Sequence, residues 1–124
     1  MKYLLDVNIL LAAVWSTHPQ HARVCAWLAD KEIVLCPIAE LGFIRISTHR
    51  KASIGVSMPN ARQAIEKFSA AATRIPDDLP PLESHPRTSD QVADRYLADL
   101  ATKHQLKLAT LDISLKHPSA ELVR

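Results

Sequence analysis

The sequence predicts an α/β fold built on a parallel sheet, and two observations carry that prediction. Apolar runs of strand length, at residues 3–5, 33–36 and 107–111, are each followed by a stretch with helical or turn character. Their residues are apolar at successive positions instead of alternating ones, which suits strands covered by helices on both faces. Each run also stops at a carboxylate, or a few residues before one: Asp6, Glu40 and Asp112. The 124 residues, 48% hydrophobic and 23% charged, fit one domain over residues 1–124 that can bury a core without staples.

Taken in order, Tyr3-Leu4-Leu5 forms the first strand and a helix follows over residues 9–15. Residues 16–20 read as a polar turn with Pro19 at a helix start, and Ala22, Cys25, Ala26, Leu28 and Ala29 trace the next helical stripe. Ile33-Val34-Leu35-Cys36 is a second strand stopped by Pro37, with Ile38, Leu41, Ile44 and Arg45 marking the helix beyond it. Residues 48–58 are polar and basic, a loop containing His49-Arg50-Lys51. Pro59 opens a helix striped by Ala61, Ala64, Ile65, Phe68, Ala71 and Ala72, with an edge strand at 73–75. Residues 77–86 are too rich in proline for a regular element. Thr88 and Gln91 have capping-box spacing ahead of a helix carrying Ala93, Tyr96, Leu97, Leu100, Ala101 and His104. The strand at 107–111 comes next, then a turn or short helix at 113–117 and a terminal strand at 121–123.

Composition excludes a disordered or collagen-like chain. There is no apolar run of membrane-spanning length and no signal-peptide order of segments, so the expected location is the cytoplasm and no membrane is involved. Cys25 and Cys36 lie in apolar contexts without CxxC spacing, as reduced buried thiols do. A net charge of +2 does not by itself argue for nucleic acid.

The acids are the chemistry-bearing feature. An Asp at a strand-to-helix junction can simply cap the helix, and Glu40 in a first helical turn simply favours the dipole. Yet Asp6, Glu40, Asp94 and Asp112 have equivalent addresses, three after strands and one in the first turns of a late helix. One parallel sheet would bring them to a single edge. Four converging carboxylates repel unless a cation joins them, and hard oxygen donors favour Mg²⁺ or Mn²⁺, whose matching chemistry is phosphodiester hydrolysis. In the late helix Asp94 lies about 40° from Asp90 and about 140° from Asp99, so Asp99 is assigned to solvent.

Leu5-Asp6-Val7-Asn8, Cys36-Pro37-Ile38-Ala39-Glu40-Leu41-Gly42-Phe43-Ile44-Arg45, Asp94-Arg95-Tyr96-Leu97-Ala98-Asp99-Leu100-Ala101 and Leu108-Ala109-Thr110-Leu111-Asp112 together resemble the four motifs of PIN-domain ribonucleases. More narrowly they resemble VapC-type toxins of type II toxin–antitoxin systems, over nearly the whole chain. The resemblance implies a three-layer α/β/α fold with a central parallel sheet of about four to five strands. It also implies that Asp6, Glu40, Asp94 and Asp112 bind Mg²⁺ or Mn²⁺ and catalyse cleavage of RNA, in similar toxins structured RNA such as tRNA or rRNA. A homodimer and a cognate antitoxin that blocks the site are implied too. Where some relatives place a further acid and a Phe after the last motif, this chain has Ile113-Ser114-Leu115, which bears on a second metal.

Asn8 and Thr110 either orient the metal-binding carboxylates or serve as turn residues. Arg45, a helical turn past Glu40 and taken to share its side, is the candidate for RNA phosphates, ahead of His49-Arg50-Lys51 and of His85, Arg87, Lys116 and His117. Trp15, Trp27 and Phe43 are assigned to the core or a dimer contact. The competing functions are a catalytically inactive PIN-like module that binds RNA or protein, and an Asp6 phosphotransferase, which Asn8 two residues on disfavours.

Overall fold

The first strand of the chain lies in the middle of the sheet. The computed structural model describes residues 1–51, 55–81 and 91–124, and among these five strands occur: β1 (Lys2–Leu5), β2 (Glu32–Leu35), β3 (Thr73–Arg74), β4 (Lys107–Thr110) and β5 (Ala120–Leu122). All pair in parallel in the order β3-β2-β1-β4-β5, with Leu4 opposite Val34 and Leu108. Parallel pairing needs crossovers, and the helices α1 (Val7–Val14), α2 (His21–Leu28), α3 (Pro37–Thr48), α4 (Met58–Ser69) and α5 (Val92–Lys103) supply them for every step except β4 to β5, which residues 111–119 make as turn and loop. The result is the expected α/β/α arrangement, with α1 packed against α2, α3 and α4 and with α5 against β4 and β1.

Leu4, Leu5, Ile9, Leu10, Leu35, Leu97, Leu100 and Leu108 are wholly buried, so the core runs through the sheet into both α1 and α5. Apart from the exposed Asn8, α1 is apolar, and it is buried from Ile9 to Ala13, as a helix enclosed by other helices must be. It starts two residues earlier than expected, at Val7, because Asp6 caps it: Oδ1 accepts the Ile9 N–H at 2.8 Å. It ends at Val14. Trp15 then donates its indole N–H to the buried Ser47 hydroxyl (2.9 Å) and stacks on Phe43, ring centroids 5.6 Å apart, which ties α1 to α3. Trp27 meets the Tyr3 ring edge-on. Phe43 is a core group, and Trp15 and Trp27 are partly buried against the core.

α4 begins at Met58, one residue before the expected Pro59, because the Ser57 hydroxyl accepts the Asn60 N–H and places Pro59 inside the first turn. It stops at Ser69, leaving Ala71 and Ala72 in the turn to β3. The 113–117 stretch is turn and loop, with Leu115 buried. α5 passes into β4 through Gln105, whose φ is +60°. The capping box at Thr88, the acid Asp90 and the cations His85 and Arg87 lie outside the described residues. Cys25 and Cys36 are free thiols, and burial pushes Cys36 up to about 12. No described helix is long and apolar enough to cross a membrane.

Candidate active site

Parallel strands deliver their carboxyl ends to one edge of the sheet, and register fixes what sits there. Leu5 pairs with Ala109 and the Asp6 N–H bonds the Ala109 carbonyl (3.3 Å), so Asp6 and Thr110 are neighbours across β1 and β4. On the other side Leu35 pairs with Arg74, which brings the end of β3 beside the start of α3.

Asp6 is completely buried. Oδ1 serves the α1 cap, while Oδ2 has no hydrogen-bond partner. Burial drives its pKa up to about 7; the Ile9 N–H and the Thr110 hydroxyl pull it back, and the charges of Asp94 and Asp112 push it up again. Asp94, in the first turn of α5, is raised by burial and then by Asp112. Three acids from β1, α5 and the end of β4 therefore share one electrostatic environment. Thr110, buried, accepts the Asp112 N–H (3.0 Å) and shapes the turn on which that acid sits. Asp112 Oδ1 in turn accepts the N–H and hydroxyl of Ser114 at 2.9 and 2.6 Å.

Glu40 stands apart from this trio. It sits in the first turn of α3 with its side chain 15% exposed, ion-paired to Arg74 at 2.7 Å. Burial raises its pKa, Arg74 lowers it and Asp77 raises it. The fourth acid is thus at the right edge but in the company of a cation. Among the described residues no three acidic, histidine or cysteine side chains are gathered in metal-holding geometry. The donors nonetheless fit a hard divalent cation: carboxylates and a hydroxyl, with the one nearby thiol, Cys36, held protonated. The unpartnered Oδ2 of Asp6 is the strongest sign, since a buried polar atom left without a partner costs about 1–3 kcal/mol.

The remaining expectations divide. Asn8 is exposed in the first turn of α1, so it belongs to the helix and not to a turn. Arg45 is exposed on α3, but five residues place it about 140° around the helix from Glu40, so it does not share Glu40's side. The cation beside Glu40 is Arg74, which also donates to Ser69 Oγ (3.0 Å). Arg74 ends β3 at the same edge, so its address could have been taken from the edge strand already expected at 73–75. Asp77 was missed too. Its Oδ2 accepts the Ile38 N–H (3.1 Å), capping α3 from a distant segment, while Oδ1 is buried without a partner. Asp99 is not solvated: it bonds His117 at 2.8 Å with only 21% of its side chain exposed.

Comparison with known proteins gives a consistent picture. The PIN domain pattern matches residues 3–120. Ribonuclease VapC38 of Mycobacterium tuberculosis is 34% identical over 123 residues, covering 88% of this chain and 84% of the relative. Ribonuclease VapC39 of the same species is 32% identical over 127 residues, covering 93% and 91%. A solved VapBC2 complex from Rickettsia felis, bound to a DNA fragment from its promoter, superposes with a TM-score of 0.65 over 98% of this chain and 97% of its own, at 15% identity.

Proposed function

The chain belongs to the PIN domain family, and from that premise we propose that it is the toxin of a type II toxin–antitoxin pair, a metal-dependent endoribonuclease hydrolysing RNA phosphodiester bonds. One observation carries the assignment of the site: Asp6, fully buried, keeps an unpartnered carboxylate oxygen next to the charges of Asp94 and Asp112. Asp6, Asp94 and Asp112, joined by Glu40, are the residues that would hold Mg²⁺ or Mn²⁺. The ion supplies the activated nucleophile and the charge neutralisation that phosphodiester hydrolysis requires.

This chain's own residues do the rest. The α1 cap fixes the Asp6 carboxylate through Oδ1 and leaves Oδ2 without a hydrogen-bond partner. Thr110 sets the backbone before Asp112. Arg45, exposed on α3, and Arg74, beside Glu40, are the cations for RNA phosphates. Exposed apolar Leu41, Val92 and Ile113, close in sequence to Glu40, Asp94 and Asp112, give the rim a surface that suits a protein inhibitor, in keeping with the VapBC likeness. The proposal places the protein in the cytoplasm as a homodimer with a cognate antitoxin, acting on structured RNA such as tRNA or rRNA.

The test is cleavage of total RNA by purified protein with Mg²⁺, with EDTA, and with Asp6→Asn. Cleavage should need the metal, and the substitution should lower it by a factor of at least about 10³ and remove growth arrest on expression. A second reading, a PIN-like module that binds RNA or protein without cutting, draws on the ion pair that occupies Glu40. Tight RNA binding with no metal-dependent cleavage would select it.

A further inference from the structure

Asp112 sits on segment 111–119, between β4 and β5, and the helix that carries Asp94 grips that segment at successive points. The Gln91 amide donates to the Ser114 carbonyl and hydroxyl at 3.3 and 3.2 Å. The Arg95 guanidinium donates to the Lys116 carbonyl at 2.9 Å. Asp99 Oδ1 bonds His117 Nε2 at 2.8 Å, and the hydroxyls of Thr102 and Ser119 are 2.6 Å apart. Positions 91, 95, 99 and 102 are spaced four, four and three apart, which is one stripe along the helix.

The Asp99–His117 contact is the best protected of these. The His117 side chain is only 7% exposed, and its Nδ1 accepts the Ser119 N–H at 3.0 Å. That bond requires a lone pair on Nδ1, so the proton is on Nε2 and is donated to Asp99. At the other end of the stripe, the Gln91 amide holds Ser114, and Ser114 holds Asp112 Oδ1 through two hydrogen bonds. A segment with no regular structure keeps a side chain in place only where bonds offset its conformational entropy.

We propose that His117 and Asp99 are positioning residues for Asp112: their bond fastens segment 111–119 to α5 and so fixes the Asp112 carboxylate relative to Asp94. The inference rests on Asp112 belonging to the metal site, and the experiment separates the two. It measures Mn²⁺ affinity by electron paramagnetic resonance on RNA-free protein, then kcat and KM for RNA, in four single variants and one double.

His117→Gln keeps a donor near Nε2 for Asp99, and Asp99→Asn keeps an acceptor for His117. Both should stay within about threefold of the wild type. His117→Asn keeps the acceptor for Ser119 but cannot reach Asp99. It should weaken Mn²⁺ binding and lower kcat by about tenfold, the size typical of lost support behind a ligand, with KM within about twofold. Amide exchange at Ser114 should quicken in the metal-free protein. Asp112→Asn should weaken Mn²⁺ binding by itself, and adding His117→Asn to it should cost nothing more. Wild-type affinity in His117→Asn, or an equal loss in the Asp112→Asn background, overturns the positioning role and leaves the site assignment standing. Wild-type affinity in Asp112→Asn instead removes Asp112 from the site, and both ideas fall.

Discussion

At the scale of the residue, Asp6 does two jobs that look like alternatives in the sequence. As an N-cap it explains where α1 begins, and as a buried acid with one unpartnered oxygen it is the centre of the proposed site. Its raised pKa has a consequence for the metal-free protein. The unfolded chain releases this proton near pH 3.8 and the folded one near pH 7, so between these values the native state binds more protons. Stability from this group is therefore complete below about pH 3.8 and declines as pH rises towards 7. Asp6→Asn should flatten that decline and raise the metal-free melting temperature at pH 7.5 while abolishing cleavage, as denaturation scans from pH 4 to 8 in EDTA can measure. Asp6, Asp94 and Asp112 were legible because strand ends and helix starts give an acid an address. The place of Arg74 at a strand end was open to the same reading, but its pairing with Glu40 and that of Asp77 with Ile38 were not, because these partners lie 34 and 39 residues away and only the folded packing of β3 on β2 joins them. For Asp99 the helical phase was right, but the face turned away from Asp94 meets segment 111–119 and not water.

Among the elements, the contact between α1 and α3 sets how Asp6 and Glu40 stand to each other, and it depends on Gly42. A Cβ at that position would come within 2.6 Å of Val7 Cγ2. Valine is stiff about χ1 and cannot swing clear cheaply. Gly42→Ala should cost about 1–3 kcal/mol by overpacking, and Val7→Ala in the same chain should recover most of it, as denaturant titration of both variants will show. The turn from α5 into β4 invites the opposite change. Gln105 has a φ of +60°, where a side chain costs about 1–2 kcal/mol and glycine nothing. Gln105→Gly should accordingly raise the melting temperature without touching activity, less whatever glycine gains in the unfolded chain. Helix identities were legible from apolar stripes, whereas their starts shifted by a residue or two towards the caps at Asp6 and Ser57. Periodicity locates a helix, but the capping hydrogen bond decides its first residue.

For the molecule as a whole, a cation that binds only the folded chain must stabilise it by mass action. At a hundredfold excess over Kd, Mg²⁺ or Mn²⁺ should add about 2.7 kcal/mol. A rise in melting temperature that vanishes in Asp6→Asn is the expected result; an unchanged temperature in the wild type at millimolar metal would deny a preformed site. The parallel sheet was legible because its strands are apolar at successive positions, whereas the order β3-β2-β1-β4-β5 was not, since a need for crossovers leaves open which strands become neighbours. The central place of β1 has one more consequence. A ribosome delivers this strand about a hundred residues before its neighbour on one side, 107–110. Until then one long flank of Leu4 and Leu5 has nothing to hydrogen-bond, so a chain interrupted before Lys107 offers neighbours a sticky open edge. A half-made copy, which still lacks Asp112, is accordingly prone to clump before the four acids can meet.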